Sequence, residues 1–151
     1  MNASYEIRNA KEDDLQLIQT LLRENNQKPS VVINKHSIFL IAQSGDHTIG
    51  VIGAELNTNA ALIRSAAVLP PWRNKGVGKI LVETLLMELK EIGKRNIYLF
   101  SRDSGIYWQK YGFENCSVQK IIDALPDAPQ VKGYINDNSI WTDIAWYKSL
   151  E

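Results

Sequence analysis

The sequence predicts an α/β chain (α+β, with a mixed sheet), and three observations carry that reading. Apolar runs of strand length recur along the chain. Two of them, Thr48–Leu56 and Leu62–Val68, flank Asn57-Thr58-Asn59, which is turn chemistry and predicts an antiparallel hairpin. A strand–helix–strand unit follows, and that combination indicates a mixed sheet with flanking helices. At 151 residues the chain suits one domain spanning 1–151, since domains most often run to about 100–150 residues.

The elements follow in order. Tyr5 to Arg8 reads as a short strand. Asp13 to Asn26 reads as a helix, with Leu15, Ile18, Leu21 and Leu22 at helical spacing and Pro29 beyond its end. Ser37 to Gln43 holds Ile38, Phe39, Leu40 and Ile41, a buried-strand run closed by Ser44-Gly45-Asp46. After the hairpin, Pro70-Pro71 stops the strand. A helix then runs from Gly76 to Ile92, with Gly93 as its cap. Asn96 to Ser101 is a strand, and Ser104 to Tyr111 a short helix closed by Gly112. Val118 to Ile122 and Ile140 to Tyr147 read as strands, with Asp123 to Asn138 as a solvated connection and Trp141 and Trp146 in the core, the alternative being an acidic, aromatic-flanked loop suited to a cationic amine.

Composition narrows the function. Formal net charge is zero, from 17 Lys plus Arg and 17 Asp plus Glu, so nothing global points to nucleic acid. No apolar run reaches the roughly 18–20 residues of a membrane helix, and Met1 to Lys11 lacks the apolar segment of a signal peptide. The single cysteine, Cys116, gives no internal disulfide and no cysteine-based metal site; a cytoplasmic setting is the expectation. Charge is unevenly spread. Arg64 to Lys79 holds Arg64, Arg73, Lys75 and Lys79 and no acid. The chain from Gly112 onward is acidic on balance.

The most informative stretch is Val68-Leu69-Pro70-Pro71-Trp72-Arg73-Asn74-Lys75-Gly76-Val77-Gly78-Lys79, between a strand and a helix. Two glycines at a helix start let backbone N–H groups approach a ligand. Those groups lack intrahelical partners, and the helix dipole favours an anion there, a phosphate above all. Arg73, Lys75 and Lys79 add cationic donors. The glycine spacing fits neither a Walker A loop nor a dinucleotide fingerprint.

Val68 to Lys79 resembles the acyl-CoA-binding motif of the GCN5-related N-acetyltransferase (GNAT) superfamily. Ser101-Arg102-Asp103-Ser104-Gly105-Ile106-Tyr107-Trp108-Gln109-Lys110-Tyr111-Gly112-Phe113 resembles that family's second signature, N-x-x-A-x-x-F-Y-x-x-x-G-F. The resemblance implies a GNAT-like fold, a mostly antiparallel sheet splayed between its fourth and fifth strands. It implies acetyl-CoA as cosubstrate and no metal. Ala66, Ala67 and Val68 would hydrogen-bond the pantetheine arm through their backbone. Arg73, Asn74, Lys75, Gly76, Val77, Gly78 and Lys79 would wrap the pyrophosphate. Ser101, Ser104, Tyr107 and Trp108 would supply the other side.

The sequence also departs from the family. Trp108 occupies the position of the frequent Tyr general acid, and an indole N–H is no useful proton source for a thiolate. Ser101 stands where Asn is frequent, and Ser104 where Ala is. Tyr107, one residue earlier, is turned by about 100° on a helix. It is the candidate acid, with Tyr111 and water as alternatives. Glu55 is the candidate base, on a mostly apolar strand where desolvation would make it basic. Its competing reading is a cross-strand pairing with Arg64. His36, His47 and water are further alternatives.

Leu62-Ile63-Arg64-Ser65 and Tyr98-Leu99-Phe100-Ser101 are similar to the arsenic-resistance-associated branch of the superfamily, over residues 60–113. That branch implies a small, amino-acid-like amine acceptor. The expected protein is an N-acetyltransferase acting by direct attack in a ternary complex, a monomer or homodimer without nucleic-acid or membrane partners. The alternative is a CoA-binding sensor that has lost catalysis.

Overall fold

A computed structural model describes residues 4–151. The chain contributes β1 (Glu6–Asn9), α1 (Leu15–Glu24), β2 (Ser37–Ser44), β3 (His47–Leu56), β4 (Ala60–Val68), α2 (Val77–Glu91), β5 (Asn96–Phe100), α3 (Gly105–Gln109), β6 (Glu114–Cys116), α4 (Val118–Ala124), α5 (Pro129–Asn136) and β7 (Ala145–Ser149). Short 3₁₀ turns precede α1 and α2, and another precedes β7. Among the described residues the sheet has seven strands in the order β1-β2-β3-β4-β5-β7-β6. It is mostly antiparallel, with β4 and β5 parallel, which is the mixed sheet the sequence predicts.

The chain forms two compact units. One comprises 1–54 and 65–88; the other comprises 55–64 and 89–151. In the first, α1 buries Ile18, Leu21 and Leu22 against Phe39, Ile41 and Val51. Their three- and four-residue spacing is what makes this helix amphipathic. On the opposite face α2 approaches β3 closely. A Cβ built on Gly50 would stand 3.1 Å from Leu81 Cδ1 and 3.4 Å from Val77 Cγ1.

In the second unit α4, α5 and the turn between them supply Ile121, Leu125, Ala128 and Val131 to a core with Leu62, Tyr98 and Ala145. Here the structure corrects the sequence reading over three stretches. Val118 to Ile122 is helical, not a strand. Ser117 caps α4, its Oγ accepting from the Lys120 N–H at 3.2 Å, and the buried positions recur at 121 and 125. The stretch from Asp123 to Asn138 is not a solvated connection: Pro129 opens α5 at its first position, and Val131 is fully buried. Of the two tryptophans beyond it, Trp146 is buried and pairs with Leu99 across β5 and β7, whereas Trp141 is exposed. The strand read at Ile140 to Tyr147 is a 3₁₀ turn over Ser139–Thr142, followed by β7.

Candidate active site

The first unit carries the loop that the sequence singles out. The 3₁₀ turn Pro70–Trp72 ends β4's course and delivers the chain to α2. Asn74 and Gly76 have positive φ, 61° and 85°. A Cβ built on Gly76 would meet nothing within 4 Å, so the glycine serves the backbone turn and leaves an open approach. The Ile80 N–H donates to Gly76 O at 3.1 Å, the first bond of α2. By helix geometry the N–H groups of Val77, Gly78 and Lys79 then have no intrahelical acceptor. Lys75 Nζ lies 5.7 Å from the Trp72 ring centroid, and Trp72 meets Tyr5 edge-on. These contacts brace the loop from below.

Just upstream, Ser65 has a φ of 60° inside β4. That left-handed residue interrupts the regular strand, and the parallel ladder to β5 covers only Ala60↔Asn96 to Ile63↔Leu99. Beyond it, Leu69 N donates to Ile49 O of β3 at 2.8 Å. Backbone groups alternate along a strand, so those of Ala66 and Val68 are turned away from β3. Both carbonyls have acceptor roles on that edge. Ala66 O receives Gln27 Nε2 at 2.9 Å, and Val68 O receives Arg73 Nε at 2.9 Å.

The second unit carries the other signature. Trp146 Nε1 donates to Ser101 O at 2.9 Å, and the Ser104 N–H donates to Ser101 Oγ at 3.2 Å. A Cβ on Gly105 would stand 2.7 Å from Trp146 Cζ2, so this glycine is what lets α3 sit directly on the indole. Ser101 therefore shapes the entry to α3 with both its carbonyl and its hydroxyl. A cleft of about 480 Å³ is lined by Asp103, Ser104, Gly105, Ile106, Tyr107 and Trp146, with Gln109.

Trp108 is a core residue, stacked edge-on against Phe113 at 5.6 Å and against Tyr107 at 5.2 Å between ring centroids. Tyr107 is 38% exposed, and its hydroxyl receives that of Tyr111 at 3.4 Å. Burial, and then the Tyr111 hydroxyl, push the Tyr107 phenol well above its ordinary value. Like an ordinary phenol it is protonated at neutral pH, and the upward shift makes it a weaker acid.

Glu55 is placed differently from an open base. It is 3% exposed, and both of its oxygens are engaged. Oε2 accepts from Arg64 Nη1 at 2.7 Å, and Oε1 accepts from the Gln130 N–H at 2.9 Å, in the first turn of α5. The geometry favours the ion-pair reading over the base. The Gln130 partner, 75 residues away, is one that sequence reasoning missed. Its signal was Pro129, a first-position helix residue that was read as loop. Of the histidines, His47 lines a separate cleft of about 530 Å³ with Glu24, Asp46 and Trp72. Among the described residues no three His, Cys, Asp or Glu side chains are arranged to hold a metal, and no helix is long and apolar enough to cross a membrane.

The sequence model of the acetyltransferase (GNAT) family matches residues 4–113. The chain belongs to the acetyltransferase (GNAT) family. That match contains both signatures and stops before α4 and α5. The GNAT chain is 34% identical over 77 residues to an uncharacterized N-acetyltransferase of Chlorobaculum tepidum, a stretch that is 50% of this chain and 49% of that one. It thus spans about half the length of that curated relative. Among solved structures it resembles N-acetylglutamate synthase from Neisseria gonorrhoeae in complex with coenzyme A and N-acetyl-glutamate, with a TM-score of 0.74 at 19% identity. That likeness covers 100% of this chain and 36% of the synthase. A GNAT-family acetyltransferase from Staphylococcus aureus Mu50 gives a TM-score of 0.71 at 18% identity, over 98% of this chain and 100% of that one. At these identities the structures establish the GNAT fold.

Proposed function

We propose that this chain is an N-acetyltransferase that moves an acetyl group from acetyl-CoA to a primary amine of a small acceptor, by direct attack in a ternary complex. The observation that carries the reading is the Arg73–Lys79 loop at the start of α2, adjoining the end of β4 whose Ala66 and Val68 backbone turns away from β3. Residues and cofactor fit one another. An extended arm with amide groups can add to a strand edge. A pyrophosphate suits unpaired N–H groups at a helix start, reached over a glycine with open space beside it. Lys75, Lys79 and Arg73 add positive charge around it.

Acetyl-CoA supplies an activated thioester. The amine nitrogen bonds to its carbonyl carbon, the carbon–sulfur bond breaks, and the sulfur takes a proton. This chain's residues bind and orient. Ala66 and Val68 align the arm, while the Ala67 backbone between them faces β3, and Asn74, Gly76, Val77 and Gly78 hold the phosphates. Ser101 and Ser104, with the Trp146 indole donating to the Ser101 carbonyl, fix the start of α3 beside its cleft. Tyr107 is the proton donor closest in kind to the family's acid. Water takes the proton of the incoming ammonium, because both oxygens of Glu55 are engaged. We read the acceptor as amino-acid-like, the protein as cytoplasmic, and the assembly as monomer or homodimer.

The test is free-thiol release from acetyl-CoA with a panel of amino acids, polyamines and aminoglycosides. Turnover on at least one amine is expected. The burial of Trp108 at the usual Tyr position favours one other reading, a CoA-binding sensor. Tight acetyl-CoA binding with no turnover across the panel would establish that instead. Gly78→Asp places a carboxylate at the phosphate position, and calorimetry should show CoA binding abolished.

A further inference from the structure

The C-terminal end of α1 reaches the same strand edge. Asn26 has a φ of 58°. The Gln27 N–H donates to Leu22 O at 2.8 Å, and the Asn26 N–H donates to Arg23 O at 3.1 Å. Together these form a Schellman cap, which fixes where residues 25–27 emerge. One side chain of that cap reaches β4 directly and another reaches it through Arg73. Gln27 Nε2 donates to Ala66 O. Asn25 Oδ1 accepts from Arg73 Nη2, while Arg73 Nε donates to Val68 O. Asn25 is itself tied back, its Nδ2 donating to Leu21 O at 3.0 Å.

Strand edges need partners for their polar groups. Here the partners for two carbonyls, at alternate positions of one edge, come from side chains of the same unit. They are the carbonyls that an arm adding to this edge would address. Resting on the assignment of 66–68 to the pantetheine arm, we propose that Gln27 is an affinity-setting residue of the cofactor site. It occupies Ala66 O in competition with the cofactor's amide, so that cofactor entry exchanges one hydrogen bond for another and releases the α1 cap from β4. Arg73 takes part through Val68 O and Asn25, which holds the cap and the phosphate loop in one hydrogen-bonded chain.

The exchange has a direct consequence. Removing the competitor should strengthen cofactor binding, whereas removing an ordinary ligand weakens it. Gln27→Met keeps the length and apolar stem and deletes the donor. CoA binding by calorimetry should tighten by about threefold to tenfold, the factor that one net hydrogen bond represents. In the unsubstituted protein, CoA should also shift the Gln27 side-chain amide resonances in a ¹⁵N spectrum toward solvent-like positions. Gly78→Asp, measured alongside, separates the two claims. Unchanged or weaker binding by Gln27→Met, while Gly78→Asp abolishes binding, overturns the competition and leaves the site assignment standing. Undiminished CoA binding by Gly78→Asp overturns the site assignment and the competition with it.

Discussion

Glu55 and Tyr107 show how far a residue's chemistry depends on what touches it. Both are of the right type for proton transfer. Glu55, however, joins the Arg64 guanidinium to the first turn of α5, and all three groups lie in the second unit. Removing one partner of a buried pair leaves the other charge without compensation and costs about 3–5 kcal/mol. Glu55→Leu should therefore lower unfolding free energy by about that much, read by urea denaturation at pH 7. Glu55→Leu with Arg64→Leu should recover much of the loss, because no unpaired charge is left buried. If the single variant folds with full stability, the pair is not structural. Tyr107 differs in kind. Its phenol carries a proton at neutral pH, as an ordinary one does, and burial makes it the weaker acid of the two. Tyr107→Phe should lower kcat, with CoA affinity changed far less; equal losses in both would make it a packing residue instead.

At the scale of elements, short-range signals were legible and long-range ones were not. The Asn57-Thr58-Asn59 turn, the Pro70-Pro71 stop and the glycines at the start of α2 act within a few residues, and each lies where the sequence predicts. The C-terminal third was misread because α4 and α5 have seven and eight residues. Two turns are too few for a helical period to stand out from a strand's. The Ser117 cap and Pro129 were the cues available. The Glu55–Arg64 pair was legible from hairpin register, but the Gln130 donor required the fold.

The start of α1 shows a comparable device, and it yields a pH prediction. Asp14 accepts from Arg8 at 2.8 and 2.9 Å and from the Lys11 N–H at 2.8 Å. The Arg8 guanidinium, chiefly, holds the Asp14 carboxyl down at about 2. A lowered folded-state value means stability that is present above the unfolded value and lost as pH falls toward the folded one. Arg8 is 38% exposed on its side chain, which discounts the linkage to about 1–2 kcal/mol. Asp14→Asn should be less stable by that amount at pH 7. The difference from the parent should shrink from about pH 5 downward and vanish only below about pH 2, as followed by thermal melts across the range.

For the whole molecule, a net charge of zero conceals a local field. The acid-free stretch from Arg64 to Lys79 belongs largely to the loop and the start of α2, and Arg64, its first base, is neutralised by Glu55. Three bases, Arg73, Lys75 and Lys79, then remain around the proposed phosphate position. Because the chain carries no net charge, attraction of a polyanion must come from these few groups at short range. Raising ionic strength from about 0.03 to 0.3 M shortens the Debye length from roughly 18 to 6 Å. CoA binding should weaken by about an order of magnitude over that interval. Dephospho-CoA, with fewer charges, should show a shallower dependence. Lys75→Gln with Lys79→Gln should flatten the slope, with a small loss of thermal stability from the deleted Lys75–Trp72 contact. A CoA affinity indifferent to salt would mean that backbone N–H groups, not the bases, hold the phosphates.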